Sequence, residues 1–150
     1  MIKITKTLSI SVLLISTSML FNSCAKKGCT DSNANNYTED ATKDDASCTY
    51  TASLVIWWGK TLTDSAQAYG VSSIKVYTDG TFLSTNPTST YWPGAPTCGA
   101  NGSVTYKKDL GKNKTGSVSI GLKDENGNSL GSAETQTLTG GQCVSLEIPW

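Results

Sequence analysis

From residue 51 onward, apolar and polar residues alternate with a period of two. Val, Ile, Thr and Ser supply the runs, and Gly and Asn punctuate them. This is the pattern of half-buried strands, and it predicts strands near 52–58, 73–78, 81–85, 103–108, 117–123, 129–138 and 143–148. Asp79-Gly80, Asn126-Gly127 and Gly140-Gly141 fall at hairpin positions between consecutive runs, where positive φ is needed. The inward phase collects Leu54, Ile56, Ile74, Val76, Val118, Ile120, Leu122, Val144, Leu146 and Ile148. One helical turn is expected within Thr61–Gly70, with Asp64 as cap and Gly70 as stop. Seven short strands with closely spaced turns predict an all-β, two-sheet sandwich over residues 51–150.

The other end of the chain has a different pattern. Lys3 and Lys6 precede an apolar run from Leu8 to Leu20 that is diluted by serines, and then Leu20-Phe21-Asn22-Ser23 leads into Cys24. A run this short does not span a hydrocarbon core of roughly 30 Å, so residues 1–23 read as a cleaved secretory signal. The segment resembles the signal of bacterial lipoproteins. That resemblance implies acylation of the Cys24 sulfur, outer-membrane attachment on the periplasmic face or at the cell surface, and Ala25-Lys26-Lys27-Gly28 as a tether. At about 0.8 kcal/mol per buried CH₂, several acyl chains make such attachment permanent.

Cysteine usage fits export. Beyond Cys24 there remain Cys29, Cys48, Cys98 and Cys143, an even set. Four cysteines allow three pairings. Nearness along the chain favours Cys29 with Cys48 and Cys98 with Cys143, with about 3 and 4 kcal/mol of loop-closure stabilisation in turn.

Residues 29–50 carry Asp31, Glu39, Asp40, Asp44 and Asp45 against a single Lys43, with few apolar groups. Cys29-x-Asp31, Ala34-x-Asn36-Tyr37 and Ala41-x-x-Asp44-Asp45-x-Ser47-Cys48-x-Tyr50 are similar to a short acidic module of secreted and surface proteins of Gram-negative bacteria, with Ala46 where that module has Gly. Asp31, Asn33, Asn35, the Tyr37 carbonyl and Glu39 stand at offsets 1, 3, 5, 7 and 9, the spacing of Ca²⁺-wrapping loops. Asn36 replaces the glycine at the sixth place and Thr42 the bidentate Glu at the twelfth. Ca²⁺ is therefore the one cofactor expected, as half a site. The Cys98-Gly99-Ala100-Asn101-Gly102 stretch, with Gly140-Gly141-Gln142-Cys143 downstream, resembles small secreted bacterial β-domains. That resemblance implies an immunoglobulin-like or transthyretin-like sandwich.

Charge and composition narrow the chemistry. The first 23 residues hold two of the twelve lysines and no acid, so residues 24–150 are slightly acidic, unlike a nucleic-acid-binding surface. With neither His nor Arg in the chain, Ser-His and Cys-His nucleophile pairs and Arg phosphate clamps cannot be built. A hydrolase would need a carboxylate pair from Asp109, Asp124, Glu125, Glu134 and Glu147. No spacing unites two of them, and no catalysis is expected. Ligand-binding candidates are Trp57, Trp58, Tyr91 and Trp92, since exposed indoles stack on sugar rings. Asp64-Ser65-Ala66 resembles an acceptor for bacterial O-glycosylation. The expected role is a lipid-anchored envelope module that binds glycan or protein, or else a structural accessory subunit.

Overall fold

The computed structural model describes residues 25–149. The signal segment and Cys24 lie outside them. Among the described residues, nine strands and one helix are arranged in the order β1 (Lys27–Gly28), β2 (Lys43–Asp44), β3 (Tyr50–Trp57), α1 (Lys60–Ala68), β4 (Ser73–Thr78), β5 (Thr81–Pro87), β6 (Val104–Gly111), β7 (Thr115–Lys123), β8 (Glu134–Thr139) and β9 (Cys143–Glu147). Seven of these strands build an all-β sandwich: a three-stranded sheet, β6-β3-β9, faces a four-stranded sheet, β5-β4-β7-β8. The short β1 and β2 pair in parallel beside it.

Alternation produces the core. Leu54 and Ile56 of β3, Ile74 and Val76 of β4, and Val118 and Ile120 of β7 are buried between the sheets with Leu138 and Ile148. Each such side chain contributes about 1.5–3 kcal/mol by leaving water. Leu122, Val144 and Leu146 keep the inward phase but are half-buried against that cluster. Val55 has the outward phase and is nevertheless fully buried. It pairs with Thr105 on one side and Ser145 on the other. The loop ahead of β6 is tied to both flanking strands, through Gly99 N–H donating to Thr105 Oγ1 and through the Cys98–Cys143 bridge. That loop therefore crosses β3 on its outer face and covers Val55.

Of three expected hairpin turns, two form and one does not. At Asn126-Gly127 the chain reverses, with Lys123 paired antiparallel to Ser129 and Gly127 at positive φ. Asp79-Gly80 closes the β4–β5 hairpin with positive φ at both residues, as the sequence predicts. Gly140-Gly141 closes no hairpin: it carries the chain from one sheet to the other, and β9 pairs in parallel with β3 instead of antiparallel with β8. The predicted strand over 129–138 shortens to β8, because Gly131, Ser132 and Ala133 leave the ladder.

The helix is longer than one turn, and its cap is corrected from Asp64 to Gly59. Asp64 sits a full turn inside, ion-paired with Lys60 at 2.6 Å, an exposed pair of modest value. Gly70 does stop the helix: at φ +74° it donates to the Gln67 carbonyl while Val71 N–H donates to that of Ala66. These are the two bonds of a Schellman ending.

Candidate functional site

Both bridges form as proximity favours, Cys29 with Cys48 and Cys98 with Cys143. The acidic segment uses its polar side chains on its own backbone. Asp44 accepts from Ala46 N–H and Asp45 from Ser47 N–H. Asn36 accepts from Thr49 N–H and donates to the Ser47 carbonyl. Short side chains that satisfy nearby N–H groups in this way replace the burial that a small loop lacks. Ala46 takes the left-handed conformation at φ +59° that glycine would adopt without strain.

The segment also docks on the sandwich. Cys29, Ala34 and Tyr50 belong to the buried core. One oxygen of Asp31 accepts from Lys114 Nζ at 2.7 Å and Tyr50 Oη at 3.0 Å, while the other accepts from Asn33 N–H at 3.0 Å. The Lys114 ammonium, helped by the Asn33 N–H and the Tyr50 hydroxyl, holds the Asp31 carboxyl well below the usual carboxylate range. Burial, and next the hydrogen bond to Asp31, push the Tyr50 phenol up. The tether expectation changes here too. Lys27–Gly28 is a strand, the Lys26 carbonyl accepts from Thr42 and Lys43 N–H, and Lys26 Nζ pairs with Asp40 at 2.8 Å.

The residues at Ca²⁺-loop spacing are distributed differently from that spacing. Asp31 faces Lys114, Asn35 Nδ2 donates to Thr51 Oγ1, and Asn33 Oδ1 accepts from Gln142 Nε2. Tyr37 is exposed, and so is Glu39. Among the described residues, no three carboxylate or thiol side chains gather closely enough to hold a metal ion. The linear spacing survives, but the loop turns its first ligand toward the sandwich.

The carboxylate candidates are dispersed as well. Asp124 is buried and accepts from the Asn126 and Asn128 N–H groups and from Asn128 Nδ2. The Asn128 side chain, with those N–H groups, lowers its pKa. Glu125 accepts from Ser72 and Ser73 N–H, and its own N–H, then those two, lower its pKa. Asp109 caps Gly111 N–H. Glu134 lines a recess between the sheets with no second acid among the described residues around it, and the Glu147 carboxylate lies beside Gly59.

Of the aromatic candidates, three converge. Trp57, Trp58 and Trp92 line one cleft with a cavity of about 20 Å³, room for a water rather than a sugar ring. Trp58 is buried and donates to the Thr90 carbonyl at 2.8 Å, and Trp92 N–H donates to the Trp58 carbonyl. Trp57 is half-buried and donates to Ser145 Oγ at 2.9 Å. Tyr91 remains exposed and does not line that cleft.

Larger concave surfaces surround the segment that leaves the ladder. β8 pairs with β7 only as far as Glu134↔Ile120, and pairing resumes at Lys123↔Ser129. Between these points Gly131–Ala133 stand away, opening a gap beside Gly121 and Leu122. On the inner side, adjoining recesses of about 270 and 280 Å³ share Leu122, Leu130, Ile148 and Pro149. On the outer side, a recess of about 260 Å³ is lined by Tyr77, Ser119, Gly121, Lys123, Ser129 and Ala133 among others. Sequence reasoning missed this outer recess. Its visible signal was a glycine in the middle of an otherwise regular strand.

Comparison with known proteins finds no family model, no curated protein and no solved structure that matches this chain.

Proposed function

We propose that this chain is a lipid-anchored protein of the cell envelope, held in the outer membrane by acyl chains on Cys24, whose sandwich is a non-catalytic module for binding envelope glycan or protein. The supporting observation is the complete pairing of the four cysteines beyond Cys24, which leaves Cys24 as the one cysteine outside both bridges. Two closed bridges belong to an oxidising compartment, and a cysteine placed directly after a secretory-type segment is an acyl acceptor.

The fold supports a direction for display. Ala25–Gly28 enter at the end of the sandwich where Tyr50, Lys114 and Gly141 meet the acidic segment. β3 then runs eight residues away from it, roughly 26 Å at 3.3 Å per residue. The gap beside Gly121 and Leu122 therefore lies toward the pole remote from the lipid.

The test is growth of the producing cells with an alkyne-bearing fatty acid, followed by fractionation. The wild-type chain is expected in the membrane fraction carrying the label, and the C24S variant unlabelled. An unlabelled, soluble wild-type chain overturns the proposal.

A further inference from the structure

We infer that the outer face of the four-stranded sheet carries a binding site for an acidic pyranose, floored by Gly121, walled by Tyr77 and charged by Lys123. This rests on the reading of the sandwich as a binding module and names its ligand class.

Two locally unfavourable choices meet at this spot. The first is Gly121. It stands in the middle of β7 opposite Tyr77, its φ lies outside the left-handed region, and a Cβ there would meet nothing nearer than Tyr77 Cβ at 4.0 Å. Gly140, by contrast, is forced by Tyr50 at 2.6 Å. A strand glycine required by neither backbone nor neighbours weakens the sheet and leaves bare backbone for something to approach.

The second is the placement of Lys75 directly opposite Lys123 on the same face. Like charges at facing positions repel. Lys75 Nζ donates to the Glu125 carbonyl at 2.9 Å. The Glu125 carboxylate is turned to Ser72 and Ser73 N–H. Lys123 Nζ lies 5.2 Å from the Tyr77 ring centroid, and among the described residues it takes part in no ion pair. An anion bound here relieves the repulsion.

The recess has the composition that carbohydrate recognition uses. Tyr77 presents an aromatic ring held edge-on by Phe82, with centroids 5.7 Å apart, and sugar C–H groups pack against such rings. Ser119 and Ser129 supply hydroxyls around the floor. Its volume of about 260 Å³ lies near the ~300 Å³ at which small-molecule sites begin, which suits one ring of a chain that continues into solvent. The carboxylate of a uronic or sialic residue would accept from Lys123, drawing the ammonium off the Tyr77 face and freeing it for stacking.

The test titrates the detergent-purified lipoprotein, labelled with ¹⁵N-glycine, with trigalacturonate, triglucuronate and a sialylated trisaccharide. Maltotriose is the neutral control, and binding heats are measured alongside. At least one acidic probe is expected to move the Gly121 amide resonance and to bind more tightly than maltotriose. G121V, which fills the floor, is expected to weaken binding at least tenfold with an unchanged or raised melting temperature. K123Q is expected to erase the preference for acidic over neutral sugar. A still Gly121 resonance with every acidic probe at millimolar concentration, undiminished binding in G121V, or a lowered melting temperature in G121V overturns the inference. None of these variants touches Cys24, so loss of fatty-acid labelling and loss of sugar binding are read separately.

Discussion

Replacing Gly140 by alanine tests how tightly the acidic segment is built into the sandwich. Gly140 is buried where β8 hands over to β9, and its N–H donates to the Lys114 carbonyl at 2.8 Å. An added Cβ would lie 2.6 Å from both Cβ and Cδ1 of Tyr50 and 2.8 Å from its Cγ, whereas carbon atoms pack best near 3.5–4.0 Å. Either the Tyr50 ring or the β8–β9 turn must therefore give by about 1 Å. The ring has little freedom: Tyr50 is buried and its hydroxyl is committed to Asp31. Overpacking of this kind costs about 1–3 kcal/mol, and the blocked escape of the ring places G140A near 3. For a domain of roughly 100 residues, that lowers the melting temperature by about 14 °C. Urea denaturation of G140A, Y50A and the double variant measures the coupling directly. The double variant should cost about 2 kcal/mol less than the sum of the singles, because the truncated ring no longer meets the new methyl. Strict additivity, or a G140A cost below about 0.5 kcal/mol, would refute the argument.

Acid should loosen the same junction. Asp31, Asp79 and Asp124 all have carboxyls lowered in the folded state. Their stabilisation is therefore complete above the unfolded value of about 3.9 and is lost as pH falls through the lower folded values. Melting temperature should decline from pH 5 toward pH 2, with a shallower decline in D31N; parallel curves for the two proteins would remove Asp31 from the account. The C98S/C143S variant opens a loop of 45 residues and should lose about 4 kcal/mol in denaturant. Protease should then cut first between Pro93 and Asn101, the loop that covers Val55; cleavage elsewhere would show that the bridge does not hold it.

Much of the strand order was legible because alternation survives wherever one face is wet. β4 spans the expected residues 73–78 and β9 begins at Cys143. What alternation could not convey was pairing: Gly140-Gly141 reads like any hairpin turn, and only the three-dimensional arrangement puts β9 beside β3. Asp64 looked like a cap because its type is right, but Gly59 precedes it with extended backbone at ψ −178°. Asp31 illustrates the limit for sites. Spacing along the chain gave it calcium-like neighbours, while Lys114, 83 residues away, determines what its carboxylate meets. Trp58 likewise found its partner in the Thr90 carbonyl, 32 residues on. The recess at Tyr77 and Gly121 needed two strands in register before it existed.

The parallel union of β3 with β9 has a consequence for biogenesis. The opening strand of the sandwich is the middle member of its sheet, and one of its two neighbours, β9, is the last strand among the described residues. Such long-range closure makes folding slow, so the nascent chain keeps its apolar stripe unsealed while most of it is already made. A polypeptide delayed in this way stays threadable. If the chain is exported as proposed, such a delay would let it cross a membrane unfolded and complete its fold after arrival.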